Sequence, residues 1–84
     1  MINIKVLGSG CANCRKVEQS VKEAVANLGV EAQVEKVTDY SEILDYGVLA
    51  TPGLVINGKL VNSGRVPNVA EITSWLADAA MAAQ

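Results

Sequence analysis

Apolar and polar side chains alternate over Ile2–Leu7, and this period of two predicts a β-strand. Gly8-Ser9-Gly10 breaks the pattern, after which apolar residues recur at helical spacing and predict a long helix. Its predicted inward positions are Val17, Val21, Ala24, Val25 and Leu28. Its charged positions, predicted to face solvent, are Arg15, Lys16, Glu18, Lys22 and Glu23. Gly29 is suited to end this helix, because glycine adopts the left-handed backbone of a helix C-terminus without strain.

A second strand and a short helix are predicted next. The strand covers Val30–Val37. The residues on one of its sides are Val30, Ala32 and Val34. A helix of about two turns should follow, with Asp39 or Ser41 as its N-cap and Gly47 at its end.

A hairpin and a final helix complete the pattern. Leu54–Ile56 is a short apolar run typical of a buried strand, and Asn57-Gly58 favours a tight turn into a partner strand at Lys59–Val61. Asn68 with Glu71 three residues later predicts a capping box at the start of a helix. The predicted inward residues of that helix are Val69, Ile72, Trp75 or Leu76, and Ala79. The Ala-rich tail after Asp78 is expected to fray.

The element order is therefore β-α-β-α-β-β-α. The first two strands should be parallel because a helix connects them, and the last two antiparallel because a tight turn does. The predicted fold is an α/β fold with a four-stranded mixed sheet flanked by helices, formed as a single domain over residues 1–84.

Composition narrows the possible functions. Half of the 84 residues are hydrophobic but only 4% are aromatic, so the core is expected to consist of Val, Ile, Leu and Ala. The formal charge is −2 with no basic cluster, which argues against nucleic-acid binding. No apolar run approaches the roughly 18 residues of a membrane helix. The alternating start does not look like a signal peptide, so we expect a cytoplasmic protein.

The chemistry-bearing residues are the two cysteines. Histidine is absent, which excludes Cys-His and Ser-His-Asp catalysis and any His-based metal site within one chain. Cys11 and Cys14 enclose Ala12-Asn13 at the predicted start of the first helix. In a reducing compartment, such a pair is more often catalytic or metal-binding than a structural disulfide. An inert pair at a buried helix start is the plainer alternative.

The position of the pair on the helix predicts different roles for the two sulfurs. Cys11 lies at or near the N-cap, where unpaired N–H groups and the helix dipole stabilise a thiolate and lower the thiol pKa. Cys14 precedes Val17 by three residues and shares its buried face. We therefore expect Cys11 to attack a partner disulfide and Cys14 to resolve the mixed disulfide. Arg15 and Lys16 add positive charge nearby, or simply form a solvated helix face.

These residues together resemble a known family. Cys11-Ala12-Asn13-Cys14 after the first strand, Thr51-Pro52, and the turn at Asn57-Gly58 resemble the small thioredoxin-like redox-active disulfide proteins of archaea and anaerobic bacteria. The resemblance covers essentially the whole chain and implies a minimal thioredoxin fold. Members of this fold exchange electrons between protein disulfides and a reductase. We expect no cofactor, no membrane partner and a monomeric protein.

The resemblance also implies a substrate-binding surface. The Thr51-Pro52 bond is expected to be cis and to lie next to the cysteine loop, although local sequence alone is equally compatible with a trans bond. The Thr51 backbone is expected to pair with a strand of the substrate. The candidate substrate-binding residues are Gly10, Ala12, Asn13, Thr51 and Pro52.

One departure from the larger thioredoxins concerns the proton acceptor. They carry a buried acid six residues before the first cysteine, and this position is Lys5 here. Lys5 either extends along the sheet edge to water or brings its ammonium group close to Cys14, where it would stabilise a thiolate. The second possibility predicts a lower reduction potential for Lys5→Met.

A second family competes for the same cysteine pair. Gly8-Ser9-Gly10 followed by the pair also resembles the copper-chaperone domains, in which two thiolates bind Cu(I). That fold runs β-α-β-β-α-β and ends with a strand, whereas this chain is predicted to end with a helix. Thr51-Pro52 has no role in the copper fold. The redox function is therefore favoured, and an interaction module without chemistry is a third alternative.

Overall fold

The computed structural model describes residues 2–8, 12–47 and 50–82. Within these ranges the elements are β1 (Ile2–Leu7), α1 (Ala12–Leu28), β2 (Ala32–Val37), α2 (Tyr40–Asp45), β3 (Gly53–Ile56), β4 (Lys59–Ser63) and α3 (Val69–Ala82). The predicted order and the α/β class are confirmed. No helix in the described part of the chain is long and apolar enough to span a bilayer.

The strands form a four-stranded mixed sheet in the order β2-β1-β3-β4, counted over the described residues. β1 and β2 are parallel, β1 and β3 are antiparallel, and β3 and β4 form the predicted hairpin. Asn57 and Gly58 have φ values of 50° and 82°, as the two central residues of a type I′ turn require. The β3–β4 register shifts between Leu54 and Val55, so that Val61 of β4 is an extra, bulged residue.

The two faces of the sheet bury different sets of side chains. One face is covered by α1 and α3, and its fully or nearly fully buried residues are Ile2, Ile4, Val6, Val17, Val21, Ala24, Leu54, Ile56, Ile72 and Leu76. The opposite face is covered by α2, and its buried residues are Leu7, Val37, Ile43 and Val55. The alternation in β1 therefore places Val6 on the α1 side and Leu7 on the α2 side.

The second strand begins two residues later than its pattern predicts. β2 starts at Ala32, which is paired with Ile2 of β1. Glu31 still accepts a hydrogen bond from the Ile2 backbone N–H at 3.1 Å, but Val30 lies beyond the ladder. Val30 nevertheless packs against the α1 side of the core. The hydrophobic pattern therefore predicted the correct core-facing side of β2, and placed only the start of the strand too early.

The helix ends follow local capping chemistry. Gly29 has a φ of 66° and donates its N–H to the Val25 carbonyl, which ends α1 as predicted. Asp39, rather than Ser41, caps α2, because its side chain accepts the Ser41 backbone N–H at 2.8 Å. The Asn68 and Glu71 side chains form the predicted capping box of α3.

The far end of α3 differs from the prediction. The helix continues past Asp78 to Ala82, so the segment predicted to fray is helical. Leu76 is fully buried and Trp75 is half-buried, which settles the choice between these neighbours in favour of Leu76. Because Ile72 and Leu76 are one helical turn apart, they face the core together.

Candidate functional site

Gly8, at the end of β1, brings two predicted site residues together. Its N–H donates to the Val37 carbonyl at 3.0 Å, so Gly8 continues the β1–β2 ladder. Its φ is 151°, and a Cβ built on it would overlap the Cys14 Sγ and stand 3.7 Å from the Thr51 Cβ. Cys14 and Thr51 therefore both lie against this glycine, although they are far apart in the sequence.

Cys14 occupies the first turn of α1, as predicted. Its side chain is 5% exposed and the sulfur is disulfide-bonded, so the structure represents an oxidised form. The chain has one other cysteine, Cys11, which lies with Gly10 outside the described residues. Ala12 and Asn13, between the cysteines in sequence, are exposed at the start of the helix. The predicted burial of Cys14 is confirmed.

The Thr51-Pro52 bond is cis, as the resemblance implied. Thr51 is exposed and Pro52 is buried at the start of β3. The Pro52 carbonyl accepts the Gly64 N–H at 2.9 Å, so the end of β4 holds this loop in place. Gly64 has a φ of 80°, and a Cβ on it would contact the Ala50 Cβ at 3.4 Å. Gly64 is thus a supporting residue of the Thr51-Pro52 loop, a role that its sequence context did not predict.

A small, partly open cavity of about 20 Å³ borders Cys14 between α1 and the β1–β2 part of the sheet. The residues around it are Val6, Gly8, Cys14, Arg15, Glu18 and Lys36. This volume has room for roughly one water molecule. Three of the residues around it carry charge, namely Arg15, Glu18 and Lys36.

Glu18 is the acidic member of this group. Its carboxylate accepts hydrogen bonds from Lys36 Nζ at 2.9 Å and Lys22 Nζ at 3.0 Å, and the Lys36 bond is the main reason why the Glu18 pKa is lowered. The Glu18 side chain is only 17% exposed, so the prediction that it faces solvent is wrong. The sequence did contain a signal, because Glu18 follows Cys14 by four residues and therefore lies on the same side of the helix.

Lys5 does not approach Cys14. Its Nζ donates to the Tyr46 hydroxyl at 2.9 Å and lies 5.6 Å from the centre of the Tyr46 ring. This hydrogen bond is the largest cause of a raised Lys5 pKa. Tyr46 follows α2, so Lys5 is on the α2 side of the sheet, whereas Cys14 is on the α1 side. The strand residue whose charge borders the Cys14 cavity is instead Lys36 of β2, which sequence spacing could not connect to Cys14.

The described part of the site has the features that thiol–disulfide exchange needs. Cys14 is buried in the first turn of α1, close to the exposed Thr51 segment. Charged residues border the cavity next to Cys14. A helix start favours a thiolate, which is the nucleophile in such exchange.

Comparison with known proteins places these features in one family. A family model described as "Thioredoxin domain" matches residues 2–77. A thioredoxin of Methanothermobacter thermautotrophicus is 42% identical over 76 residues, covering 90% of this chain and 99% of the relative. A thioredoxin of Methanocaldococcus jannaschii is 40% identical over 76 residues, covering 90% of this chain and 87% of the relative.

A solved structure agrees in fold. The crystal structure of the germline-specific thioredoxin Deadhead of Drosophila melanogaster superposes with a TM-score of 0.64 at 20% identity. It covers 92% of this chain and 79% of that one. The alternative copper-binding function finds no support in these comparisons, and its expected final strand is replaced here by α3.

Proposed function

The chain belongs to the thioredoxin domain family and is a thiol–disulfide oxidoreductase, and on this premise we propose that Cys11 is its attacking nucleophile and Cys14 its resolving thiol. The observation that carries the assignment is that Cys14 is buried and disulfide-bonded in the first turn of α1. Cys11 directly precedes that helix in sequence and is the one other cysteine of the chain. A buried sulfur is a poor first attacker of a protein substrate, but it is well placed to attack a neighbouring sulfur.

The exchange proceeds in two steps. The Cys11 thiolate attacks one sulfur of a client disulfide, forming a mixed disulfide and releasing the first client thiolate. The Cys14 thiol then loses its proton to water, and its thiolate attacks the Cys11 sulfur. The second client thiolate leaves as the Cys11–Cys14 disulfide forms. Two electrons have passed to the client, and a disulfide reductase restores the dithiol.

Client binding is assigned to the surface around Thr51. Thr51 is exposed beside Gly8, which supports a role for its backbone in pairing with an extended segment of the client. Ala12 and Asn13 are exposed at the helix start and stand between the two cysteines in sequence, and Gly10 completes this set from sequence. Pro52 is buried and anchored through Gly64, so it supports the surface from below.

The cellular setting follows from the chemistry. Thioredoxins pass electrons from a disulfide reductase to protein disulfides, and a dithiol couple of this kind operates in a reducing compartment. We place this protein in the cytoplasm, acting as a single-domain monomer. Its contribution there is electron transport to protein disulfides and the maintenance of cell redox balance.

Single-cysteine variants test the assignment. Cys14→Ser should accumulate a mixed disulfide with a protein substrate such as insulin, because Cys11 still attacks but nothing resolves the product. Cys11→Ser should form no such adduct at neutral pH, because its remaining thiol is buried. Non-reducing electrophoresis and intact-protein mass spectrometry detect the adduct. Equal trapping by the two variants, or equal alkylation rates of the two thiols in the reduced protein, would contradict the assignment.

A further inference from the structure

Charged residues of both signs border the cavity next to Cys14. Glu18 accepts from Lys36 at 2.9 Å, and both residues border the cavity next to the Cys14 sulfur. Arg15 borders the same cavity, and Lys22 reaches it indirectly through Glu18. These residues come from α1 and β2, so the fold, rather than one helix, assembles the group.

We propose that the Glu18–Lys36 ion pair sets the acidity of the Cys14 thiol, and through it the rate at which the mixed disulfide is resolved. The inference rests on the proposed role of Cys14 as the resolving thiol. Glu18 and Lys36 are positioning residues, since they act on the sulfur through their charge and take no part in bond exchange.

The two charges act on the sulfur in opposite directions. A carboxylate close to a thiol disfavours the thiolate and raises the thiol pKa, whereas an ammonium group favours the thiolate and lowers it. In the ion pair the two effects partly cancel. Removing one partner exposes the sulfur to the uncompensated charge of the other. The Glu18 side chain is 17% exposed and the Lys36 side chain is 58% exposed, so solvent screens the Lys36 charge more than the Glu18 charge.

This arrangement assigns a consequence to each half of the pair. Without the Glu18 charge, Lys36 and Arg15 face Cys14 unopposed, and the thiol becomes more acidic. Without the Lys36 charge, Glu18 keeps its ion pair with Lys22. It loses Lys36, which both pairs with Glu18 and borders the cavity. The thiol then becomes less acidic. Acidity at Cys14 matters because its thiolate is the species that attacks the mixed disulfide.

The test measures the Cys14 pKa in a Cys11→Ser background, where one thiol remains and its thiolate absorbance can be titrated. Glu18→Gln should lower the Cys14 pKa and Lys36→Met should raise it, each by less than about one unit, because a neighbouring charge moves a pKa by about 1–3 units and solvent screens part of that effect here. The double variant should return close to the parent value. A purely structural role for the pair would not give shifts of opposite sign.

Two control variants separate local from general effects. Glu71→Gln removes a carboxylate from the Arg65–Glu71 ion pair, which does not border the cavity, and should leave the Cys14 pKa unchanged. Lys22→Met removes the other partner of Glu18 and should raise the Cys14 pKa less than Lys36→Met does. Shifts of the same sign in Glu18→Gln and Lys36→Met, or shifts no larger than that of Glu71→Gln, would overturn the proposal.

The resolving step gives an independent readout in the protein with both cysteines. At neutral pH the mixed disulfide with a substrate should resolve several-fold faster in Glu18→Gln and several-fold more slowly in Lys36→Met, measured by quenched-flow. The pKa titration needs no substrate, so it stands even if the trapping experiment reverses the roles of the two cysteines. Opposite pKa shifts with unchanged resolution rates would overturn the kinetic half of the proposal.

Discussion

Gly8 lies so close to Cys14 that a Cβ atom added at position 8 would overlap the Cys14 side chain. The added atom would also stand 3.3 Å from the Cβ of Cys14. The end of β1 is thus fitted to the start of α1 without room for any side chain between them. Because the φ of Gly8 is also positive, both the contact and the backbone require glycine at this position.

Gly8→Ala should therefore destabilise the protein more than an alanine at another positive-φ glycine. Gly58→Ala is the matched control, because Gly58 has a φ of 82° and no described heavy atom lies within 4 Å of a Cβ built there. Both variants incur backbone strain, but only Gly8→Ala adds overpacking, which costs about 1–3 kcal/mol. Urea denaturation of the oxidised proteins measures the difference. Equal losses of unfolding free energy would show that Cys14 moves aside without cost.

Leu76 should contribute far more to stability than its exposed counterpart on α2. Leu76→Ala is expected to lower the free energy of unfolding by about 2–5 kcal/mol, because the side chain is fully buried between α3 and the sheet. Leu44→Ala removes the same atoms from a side chain that is 45% exposed and should cost less than about 1 kcal/mol. Chemical denaturation compares the two. Similar losses would mean that Leu44 is buried in solution.

The capping box of α3 gives a smaller, local prediction. Asn68→Ala removes the side chain that accepts the Glu71 backbone N–H at 2.8 Å and should lower the free energy of unfolding by about 1 kcal/mol. Asn27→Ala, at an exposed position in the last turn of α1, serves as the control and should change little, since alanine has a higher helix propensity than asparagine. A stability loss for Asn27→Ala as large as that for Asn68→Ala would contradict the capping role.

Acid should weaken the fold partly through Glu71. The Arg65 side chain donates to its carboxylate, and this is the main reason why the Glu71 pKa is lowered in the folded protein. A carboxyl group with a lowered pKa contributes its full stability above its unfolded value of about 4.3 and loses it as the pH falls through the folded value. The stability of the parent protein should therefore fall more steeply below about pH 4.5 than that of Glu71→Gln.

Thermal unfolding between about pH 6 and pH 3 provides the comparison. Arg65→Met should flatten the same part of the profile, because it removes the main cause of the lowered Glu71 pKa. Profiles for parent and variants that run parallel over this range would exclude a contribution from Glu71.

Lys5→Met should leave the reduction potential of the cysteine couple unchanged. Lys5 bonds to Tyr46 on the α2 side of the sheet, so its charge is separated from Cys14 by the sheet itself. Equilibration of parent, Lys5→Met and Tyr46→Phe with a dithiothreitol buffer measures the potentials. A reduction potential of Lys5→Met clearly below those of the parent and Tyr46→Phe would show that the Lys5 charge acts on the cysteine couple.

Elements governed by local chemistry could be predicted from sequence. The Asn57-Gly58 turn needs positive φ at two adjacent residues, and the pair Asn68 and Glu71 caps a helix through atoms three residues apart. These preferences act within a few residues and do not depend on the rest of the fold. The strand alternation of Ile2–Leu7 is equally local, and its bounds were predicted to the residue.

Features that depend on a distant partner could not be predicted in this way. The first residue of β2 depends on the register in which it pairs with β1, and the partner of Lys5 depends on where α2 ends. Lys36 reaches the space behind Cys14 only because β2 lies next to β1 in the sheet. Even for Glu18, helical spacing gives the correct side of α1, but its burial depends on the lysine that β2 supplies.

The bulge at Val61 affects how this sheet meets other molecules. β4 is an outer strand, and outer strands expose unpaired backbone groups that can join the sheet of another chain. An extra residue twists the strand locally and interrupts the regular spacing of those groups. The opposite outer strand, β2, carries adjacent exposed charges at Glu35 and Lys36, which also disfavour edge-to-edge pairing with another strand. Both outer strands of the sheet thus carry features that disfavour the addition of a strand from another copy of the protein.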